Sequence, residues 1–410
     1  MSCQRILTFS IEVFLKYFDQ KFELSRNSGA SNIRSMEGLR GFAVFLIFLV
    51  HYVSLVKPWI IHAPNLGLFS EALRTMGNIG VDLFFVLSGY LIYQSLIGRP
   101  KKFRDFISRR IERIYPVFIV VFILYLILSF VFPFERKIPF GLYDAIIYVG
   151  LNFLLAPGIF PIEPMITVAW SLSYEMFYYL LLPILFVVFK LRARSAIWRV
   201  CFFLSLTFGA IVFCSIYGGP IRLIMFISGI LLYEVIKYTK PNPPVISSAT
   251  GLFFLVLSLF VMIIPAATPS GSALKVAALF VSLPILCFVC FCHPSAWLAQ
   301  FFSLKYLRWL GNMSYSYYLI HGLALKAAFL LLSIVLPETT QPILLFWLIL
   351  PVMFAATLVP SVILFLSVER SFSLGLNRKS EPRLTIIDAS LESLDVYATG
   401  SVALMAAAEV

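Results

Sequence analysis

The strongest constraint on this chain is a series of apolar stretches that are long enough to cross a lipid bilayer. A helix needs about 20 consecutive apolar residues to span the hydrocarbon core. Ten such stretches lie near residues 39–56, 77–97, 114–133, 170–189, 197–216, 220–236, 245–264, 274–292, 311–336 and 343–367. Backbone groups in lipid must bond within their own segment, so we expect an all-α polytopic membrane protein. A shorter apolar stretch, 143–156, is predicted to be interfacial or re-entrant.

The charged residues indicate how these helices are oriented. The chain is 60% hydrophobic and 13% charged, whereas a soluble domain carries about 25% charged residues. Of its 32 Lys and Arg residues, 25 fall in segments on the N-terminal side of the predicted spans and six on the opposite side. Loops rich in Lys and Arg face the cytoplasm. We therefore expect both termini to be cytoplasmic, and we interpret the net charge of +12 as topology rather than nucleic-acid binding.

The chain divides into three predicted regions. Residues 1–34 read as an amphipathic segment at the cytoplasmic membrane surface, with a poorly ordered extension as the alternative. Residues 35–370 form the transmembrane domain, and 371–410 form a polar cytoplasmic tail. Three clustered cysteines, Cys287, Cys290 and Cys292, lie in a hydrophobic helix end without acidic neighbours. We interpret them as packing residues and expect no metal site.

The first span carries two ionisable residues, Arg40 and His51, in "GLRGFAVFLIFLVHY". Eleven residues of helix rise about 16 Å over three turns, so both project from nearly one face. An arginine at the cytoplasmic end could bind a phosphate-bearing ligand. A histidine at or beyond mid-membrane could act as a general base. The alternative is that Arg40 anchors the helix and His51 bonds to another helix.

Further ionisable residues are predicted in the middle and outer parts of the bundle. Asp82 and Glu175 lie at similar depths below the outer surface, and His321 lies near mid-membrane. Charged groups are expensive in lipid, so they should face inward and pair. His51, Glu175, His321 and Asp82 are therefore the catalytic candidates, although each could instead be structural.

A basic segment precedes the third span. The stretch "RPKKFRDFISRRIERIYP", residues 99–116, carries seven basic residues, and Arg110 and Arg113 share a helix face within it. They lie at the same predicted inner surface as Arg40. The segment indicates either a binding site for a polyanionic cofactor or membrane topology alone.

Taken in order, these stretches resemble a known family, the integral-membrane acyltransferases called acyltransferase family 3. The similarity covers roughly residues 35–370 and rests on "GLRGFAVFLIFLVHY", "GVDLFFVLSGYLI", "RRIERIYP", "WSLSYEMFYYLLLP", "RLIMFISGILL" and "YLRWLGNMSYSYYLIHG". The family's arginine and histidine with ten intervening residues match Arg40 and His51. Its paired arginines match Arg110 and Arg113.

The resemblance implies an activity and a location. It implies transfer of an acyl group, most often acetyl, from cytoplasmic acyl-CoA to a sugar hydroxyl of a cell-surface polysaccharide or glycolipid, at the bacterial inner (plasma) membrane. Arg40, Arg110 and Arg113 would bind acyl-CoA, and Trp170, Ser173 and Arg222 are candidates for binding the acceptor. Many relatives carry a fused SGNH hydrolase domain after the last span; about 40 residues follow it here, so we expect no such domain.

A different class of membrane protein also buries charged residues. A transporter or flippase of a glycan or lipid intermediate would do so, and such proteins often show inverted repeats with broken helices at matched positions. The sequence shows no such pairing. We keep the transporter as the alternative to the acyltransferase.

Overall fold

The computed structural model describes residues 19–23, 34–60, 64–98, 102–239, 247–265, 268–337 and 343–374. Within these residues the protein is helical and contains no β-sheet. The helices, in chain order, are α1 (Arg34–Ile60), α2 (Pro64–Gly77), α3 (Ile79–Ile97), α4 (Phe103–Val131), α5 (Leu142–Phe153), α6 (Trp170–Val188), α7 (Ala196–Tyr217), α8 (Ile224–Thr239), α9 (Ser248–Ile263), α10 (Pro269–Cys292), α11 (Trp297–Phe302), α12 (Lys305–Asn312), α13 (Ser314–Val335) and α14 (Ile343–Leu364). A π-helical stretch, Phe365–Ser373, continues α14.

The predicted all-α polytopic architecture is confirmed, and each predicted span corresponds to a helix. Eight helical stretches of the described chain are long and apolar enough to cross a membrane. The other two predicted spans are α8 and α9, with 16 residues each. Sixteen residues rise about 24 Å, which is less than the hydrocarbon thickness of a typical bilayer. The short apolar stretch at 143–156 overlaps α5, a helix of 12 residues.

Two glycines bring α1 and α12 into backbone contact. A Cβ atom on Gly41 would lie 2.0 Å from the Leu307 carbonyl oxygen, and one on Gly311 would lie 1.7 Å from the Glu37 carbonyl oxygen. Small residues at helix interfaces in membranes allow this close approach. The contact sets the start of α13 beside α1, where Arg40 donates a hydrogen bond to Ser314.

A second glycine pair joins α3 to α8. A Cβ atom on Gly89 would lie 2.1 Å from the Phe226 carbonyl oxygen, and one on Gly229 would lie 2.0 Å from the Val86 carbonyl oxygen. Ser88, the residue before Gly89, lines an internal cavity instead. In the sequence "SG" of α3, the glycine therefore packs against α8 and the serine lines the cavity.

Buried ion pairs connect the ends of several helices. Arg199 of α7 contacts Glu234 of α8 at 2.7 Å, and both side chains are almost fully buried. Arg308 of α12 contacts Glu37 of α1 at 3.0 Å and Glu23 of the N-terminal segment at 2.9 Å. A buried pair of this kind is costly to break, because the remaining charge has no partner.

Part of the predicted N-terminal segment packs against this end of the bundle. Residues 19–22 are helical, and the Phe22 ring is buried, 5.0 Å from the Phe365 ring. Asn312 donates a hydrogen bond to the Phe22 carbonyl oxygen at 3.0 Å. The remainder of the predicted 1–34 segment, apart from Arg34, lies outside the described residues. So does the predicted 371–410 tail beyond residue 374.

Candidate active site

A long cavity runs through the bundle beside α3. Its volume is about 690 Å³, and α1, α3, α4, α6, α8 and α13 line it. The wall residues of α3 and its C-cap extend from Val81 to Gly98, a helix rise of about 25 Å. The polar side chains that line it are Arg40, Ser88, Gln94, Ser95, Arg110, Arg113, Ser171, Glu175, Tyr179, Tyr233, Ser314, Tyr315 and Tyr318. The cavity thus covers most of the length of a membrane-spanning helix.

Three arginines share the wall of this cavity, and they are the three predicted to bind acyl-CoA. Arg40 donates to Ser314 Oγ at 2.9 Å, and Arg110 donates to Ser95 Oγ at 3.2 Å. Arg113 makes no hydrogen bond or ion pair with the part of the chain that the structure describes. Residues far apart in sequence therefore form one cationic region, although their role in binding stays a prediction.

Glu175 faces the middle of the cavity and bonds to hydroxyl groups. It accepts hydrogen bonds from Ser88 Oγ at 3.4 Å and from the Tyr179 hydroxyl. The Arg110 guanidinium lies 5.0 Å from the centre of the Tyr179 ring. Tyr179 therefore contacts Glu175 through its hydroxyl and Arg110 through its ring. Both hydrogen-bond partners of Glu175 among the described residues are hydroxyls, and neither is an imidazole. The catalytic role of Glu175 stays a prediction.

The two predicted histidines lie against each other. The ring centroids of His51 and His321 are 4.9 Å apart, at an interplanar angle of 73°. His321 is fully buried, and its Nδ1 lies 3.0 Å and 2.9 Å from the carbonyl oxygens of Tyr317 and Tyr318. Carbonyl oxygens only accept hydrogen bonds, so Nδ1 carries the ring proton in the neutral imidazole. Its Nε2 has no hydrogen-bond partner among the described residues and holds a lone pair.

One residue of the cavity wall, Tyr318, also lies near the histidine pair. Neither imidazole is part of the cavity wall, but Tyr318 is. The Tyr318 ring lies 6.1 Å from the His321 ring. Its hydroxyl is 2.7 Å from Ser171 Oγ and 3.1 Å from the Val168 carbonyl oxygen. Tyr318 therefore contacts both the cavity and the His321 ring.

Asp82 and Arg222 form an ion pair near the start of α3. The guanidinium donates to both carboxylate oxygens of Asp82, at 3.0 Å and 2.8 Å, and to the Asn78 carbonyl oxygen at 3.1 Å. Asp82 is fully buried, and neither side chain is part of the cavity wall. The structure pairs the two residues with each other and does not bring Asp82 to the histidines. The catalytic role of Asp82 and the substrate-binding role of Arg222 stay predictions.

The two remaining predicted residues lie on the first turn of α6. The Trp170 ring contacts Phe85 and Tyr174. The hydroxyl of Ser173 is buried and lies 3.5 Å from the Ala169 carbonyl oxygen. Neither residue is part of the cavity wall, whereas Ser171, between them, is.

Several site residues were missed by sequence reasoning. Ser314, Tyr318 and His321 follow one another at helical spacing in "SYSYYLIHG", and residues at positions i, i+4 and i+7 share a helix face. Because His321 was a candidate, the helix face it shares with Ser314 and Tyr318 could have identified those two as site residues. Ser171 lies in "WSLSYEMFYYLLLP", one of the stretches that carry the family resemblance, and that stretch could have identified it. Among the described residues, no group of three or more His, Cys, Asp and Glu side chains could hold a metal ion.

Comparison with known proteins gives consistent matches to acyltransferases. The acyltransferase domain family matches residues 33–366. The chain is 28% identical over 305 residues to the peptidoglycan O-acetyltransferase OatA of Listeria monocytogenes, an alignment that covers 65% of this chain and 48% of the relative. It is 27% identical over 319 residues to the O-acetyltransferase OatA of Staphylococcus aureus, covering 70% and 49%. The chain spans about half the length of the curated relatives it matches. No solved structure matches it.

Proposed function

The chain belongs to the acyltransferase domain family that matches residues 33–366, and on that premise we propose that it is a membrane O-acyltransferase of a cell-surface polysaccharide or glycolipid. The donor in this proposal is cytoplasmic acyl-CoA, most simply acetyl-CoA. Two relatives are named O-acetyltransferases, one of them for peptidoglycan. These names support the acetyl group and a glycan hydroxyl as acceptor.

The observation that carries the proposal is the shape and charge of the cavity. It extends about 25 Å along α3, and Arg40, Arg110 and Arg113 are part of its wall. Coenzyme A combines a polyanionic head with a long, narrow arm that ends in a thioester. Arginine binds phosphate through paired, charge-assisted hydrogen bonds. In the proposal the head binds these arginines and the arm extends along α3 toward Ser171.

The proposed chemistry uses the histidine pair as the proton acceptor. His51 removes the proton from the acceptor hydroxyl, and the hydroxyl oxygen then attacks the thioester carbonyl carbon. As the tetrahedral intermediate collapses, the carbon–sulfur bond breaks and the imidazolium returns the proton to the leaving sulfur. The lone pair on Nε2 of His321 faces no other described partner, so this ring can orient His51 or share the proton.

The proposed orientation follows the distribution of basic residues. The end of the bundle with Arg40, Arg110 and Arg113 would face the cytoplasm, where acyl-CoA is found, in keeping with the rule for basic loops. His51 is partly exposed, while His321 is fully buried. In the proposal the acceptor therefore approaches from the side of His51, and a bacterial inner membrane is the expected location.

The test is transfer from labelled donor in a reconstituted system. Purified protein in proteoliposomes receives acetyl-CoA with a labelled acetyl group, together with surface glycan or glycolipid from a bacterial membrane, and the products are analysed by mass spectrometry. An acetylated glycan is the expected result. Movement of the glycan across the bilayer without a change in its mass would instead support the transporter, and would end the proposal.

A matched set of arginine variants tests the donor site. Arg110→Gln and Arg113→Gln each remove a cation from the cavity wall. We expect each to weaken acetyl-CoA binding by about ten- to hundredfold, the loss typical of charge-assisted hydrogen bonds. Arg109 lies on the same helix, donates to the Asp105 carbonyl oxygen and is not part of the wall. Arg109→Gln therefore removes the same charge and serves as the control. Equal affinities in all three variants would contradict the donor site.

Histidine variants test the base. His51→Ala should reduce the transfer rate by at least 10²-fold, because general-base catalysis typically supplies 10²–10⁴-fold. His293 follows the last residue of α10 and is not part of the cavity wall. His293→Ala should keep the wild-type rate. Normal turnover by His51→Ala would reject the mechanism.

A further inference from the structure

The hydroxyl of Tyr318 connects two helices of the cavity wall. Tyr318 reaches across from α13 to the start of α6, where its oxygen is 2.7 Å from Ser171 Oγ and 3.1 Å from the Val168 carbonyl oxygen. Ser171 Oγ is also 3.1 Å from the same carbonyl. These three oxygens form a closed triangle that joins α13 to the start of α6. Ser171 and Tyr318 are 147 residues apart in the sequence.

The hydroxyl triangle is well satisfied when it is closed. Either hydroxyl can donate to the other, and the second hydroxyl then donates to the Val168 carbonyl oxygen. The carbonyl therefore accepts a hydrogen bond in both arrangements. Tyr318 is 8% exposed, and it is part of the cavity wall. Space for the ring to move therefore exists on the cavity side, while the triangle favours the closed position.

The imidazole of His321, next to Tyr318, has one ring nitrogen that accepts no hydrogen bond from the described residues. His321 is fully buried, and its Nε2 has no hydrogen-bond partner among the described residues. A lone pair without a partner in an apolar interior is costly. Its Nδ1 is bonded to backbone carbonyls of α13, including that of Tyr318 itself. A change in the side-chain rotamer of Tyr318 leaves this backbone contact intact, so the imidazole keeps its orientation when the ring moves.

We propose that Tyr318 is a partition that separates the donor cavity from the His51–His321 pair, and that its hydroxyl must leave Ser171 and Val168 before an acyl group can reach the imidazoles. This inference rests on the proposed function, in which the acyl donor fills the cavity. It assigns Tyr318 a positioning role: the tyrosine controls when thioester and base meet. The separation protects a bound thioester from the base until the passage opens.

The test measures access to His321 and does not depend on catalysis. Diethyl pyrocarbonate modifies the unprotonated ring nitrogen of histidine, and peptide mass spectrometry gives the rate at each position. In purified wild-type protein, His321 should react slowly. Tyr318→Phe keeps the ring and removes the hydroxyl, so the rate at His321 should rise about tenfold, the factor that corresponds to the net loss of about one buried hydrogen bond. Ser171→Ala, which leaves the Val168 contact, should give a smaller rise.

The neighbouring tyrosine provides the control. Tyr317 also lies on α13, stacks on the His321 ring at 5.2 Å, and its hydroxyl is 2.8 Å from Thr357 Oγ1. Tyr317→Phe removes a buried hydroxyl of the same helix but not the partition, so its rate should stay within about twofold of wild type. Equal rises in both tyrosine variants would indicate a loosened helix and overturn the proposal, as would unchanged rates in both.

Adding coenzyme A to the modification assay distinguishes failure of this proposal from failure of the proposed function. Coenzyme A that fills the cavity should slow the modification of His321 in Tyr318→Phe, because the reagent and the donor then share one path. A faster reaction in Tyr318→Phe that coenzyme A does not slow would support the partition and count against the donor site. A donor that binds and is transferred normally, with no change of access in Tyr318→Phe, would overturn the partition alone.

Discussion

Replacing Gly311 by alanine should separate α12 from α1 and destabilise the fold around the proposed donor site. The new Cβ atom would lie 1.7 Å from the Glu37 carbonyl oxygen and 3.0 Å from the Gly41 nitrogen. Ordinary contact needs about 3.5 Å, so the helices must move apart by well over an ångström. Overpacking of this kind typically costs about 1–3 kcal/mol. We expect the upper end, since the atoms that clash belong to backbone and cannot rotate away.

The assay is thermal unfolding of the purified protein in detergent, followed by intrinsic fluorescence. A loss of about 3 kcal/mol corresponds to a fall in Tm of roughly 4 °C for a domain of this size. Gly209→Ala is the matched control, because a Cβ at Gly209 of α7 meets no atom within 4 Å. Alanine is preferred to glycine inside a helix by roughly 0.5–1 kcal/mol, so the control should keep or raise its Tm. If both variants melt like wild type, the argument for backbone contact at Gly311 fails.

Three further predictions concern buried polar contacts, and each is checked by thermal unfolding. Arg222→Met leaves Asp82 buried without its cation and should cost about 3–5 kcal/mol, most of which the added Asp82→Leu change should restore. Glu369→Ala removes the carboxylate that accepts the backbone N–H of Ser316 at 3.0 Å and should cost roughly 1–2 kcal/mol, like the loss of a helix cap. Asn152→Leu removes the amide that accepts the Met165 N–H at 2.7 Å and should cost about 1–3 kcal/mol.

The helices were predictable because the bilayer imposes a simple length rule. Runs such as 114–133 and 343–367 can satisfy their backbone groups only as helices, and α4 and α14 lie there. The rule fails at α8, where the predicted span 220–236 begins with a 3₁₀ turn, Ile221–Leu223, before the helix starts at Ile224. Composition cannot distinguish a full crossing from a shorter buried helix, because both are equally apolar.

The contacts between helices were much less predictable. Arg40 and Arg113 could be proposed for one site, because positive residues collect on one side of the membrane and a helix face is defined by its spacing. The pairing of Asp82 with Arg222 spans 140 residues, and nothing in either stretch specifies that partner. The contact between Tyr318 and Ser171 spans 147 residues. Such facts arise from packing, which a single sequence does not encode locally.

The position of the proposed base follows from the geometry of α13. Ser314, Tyr318 and His321 lie on one face of this helix, and they contact in turn the Arg40 guanidinium, the Ser171 hydroxyl and the His51 ring. Seven residues of helix rise about 10 Å, so the distance from the cationic wall to the imidazole is fixed by a rigid element. In the proposed mechanism, binding energy gained at Arg40 therefore contributes to the alignment of the reacting groups. A flexible loop in place of α13 could supply the same side chains, but it could not hold them at a constant separation.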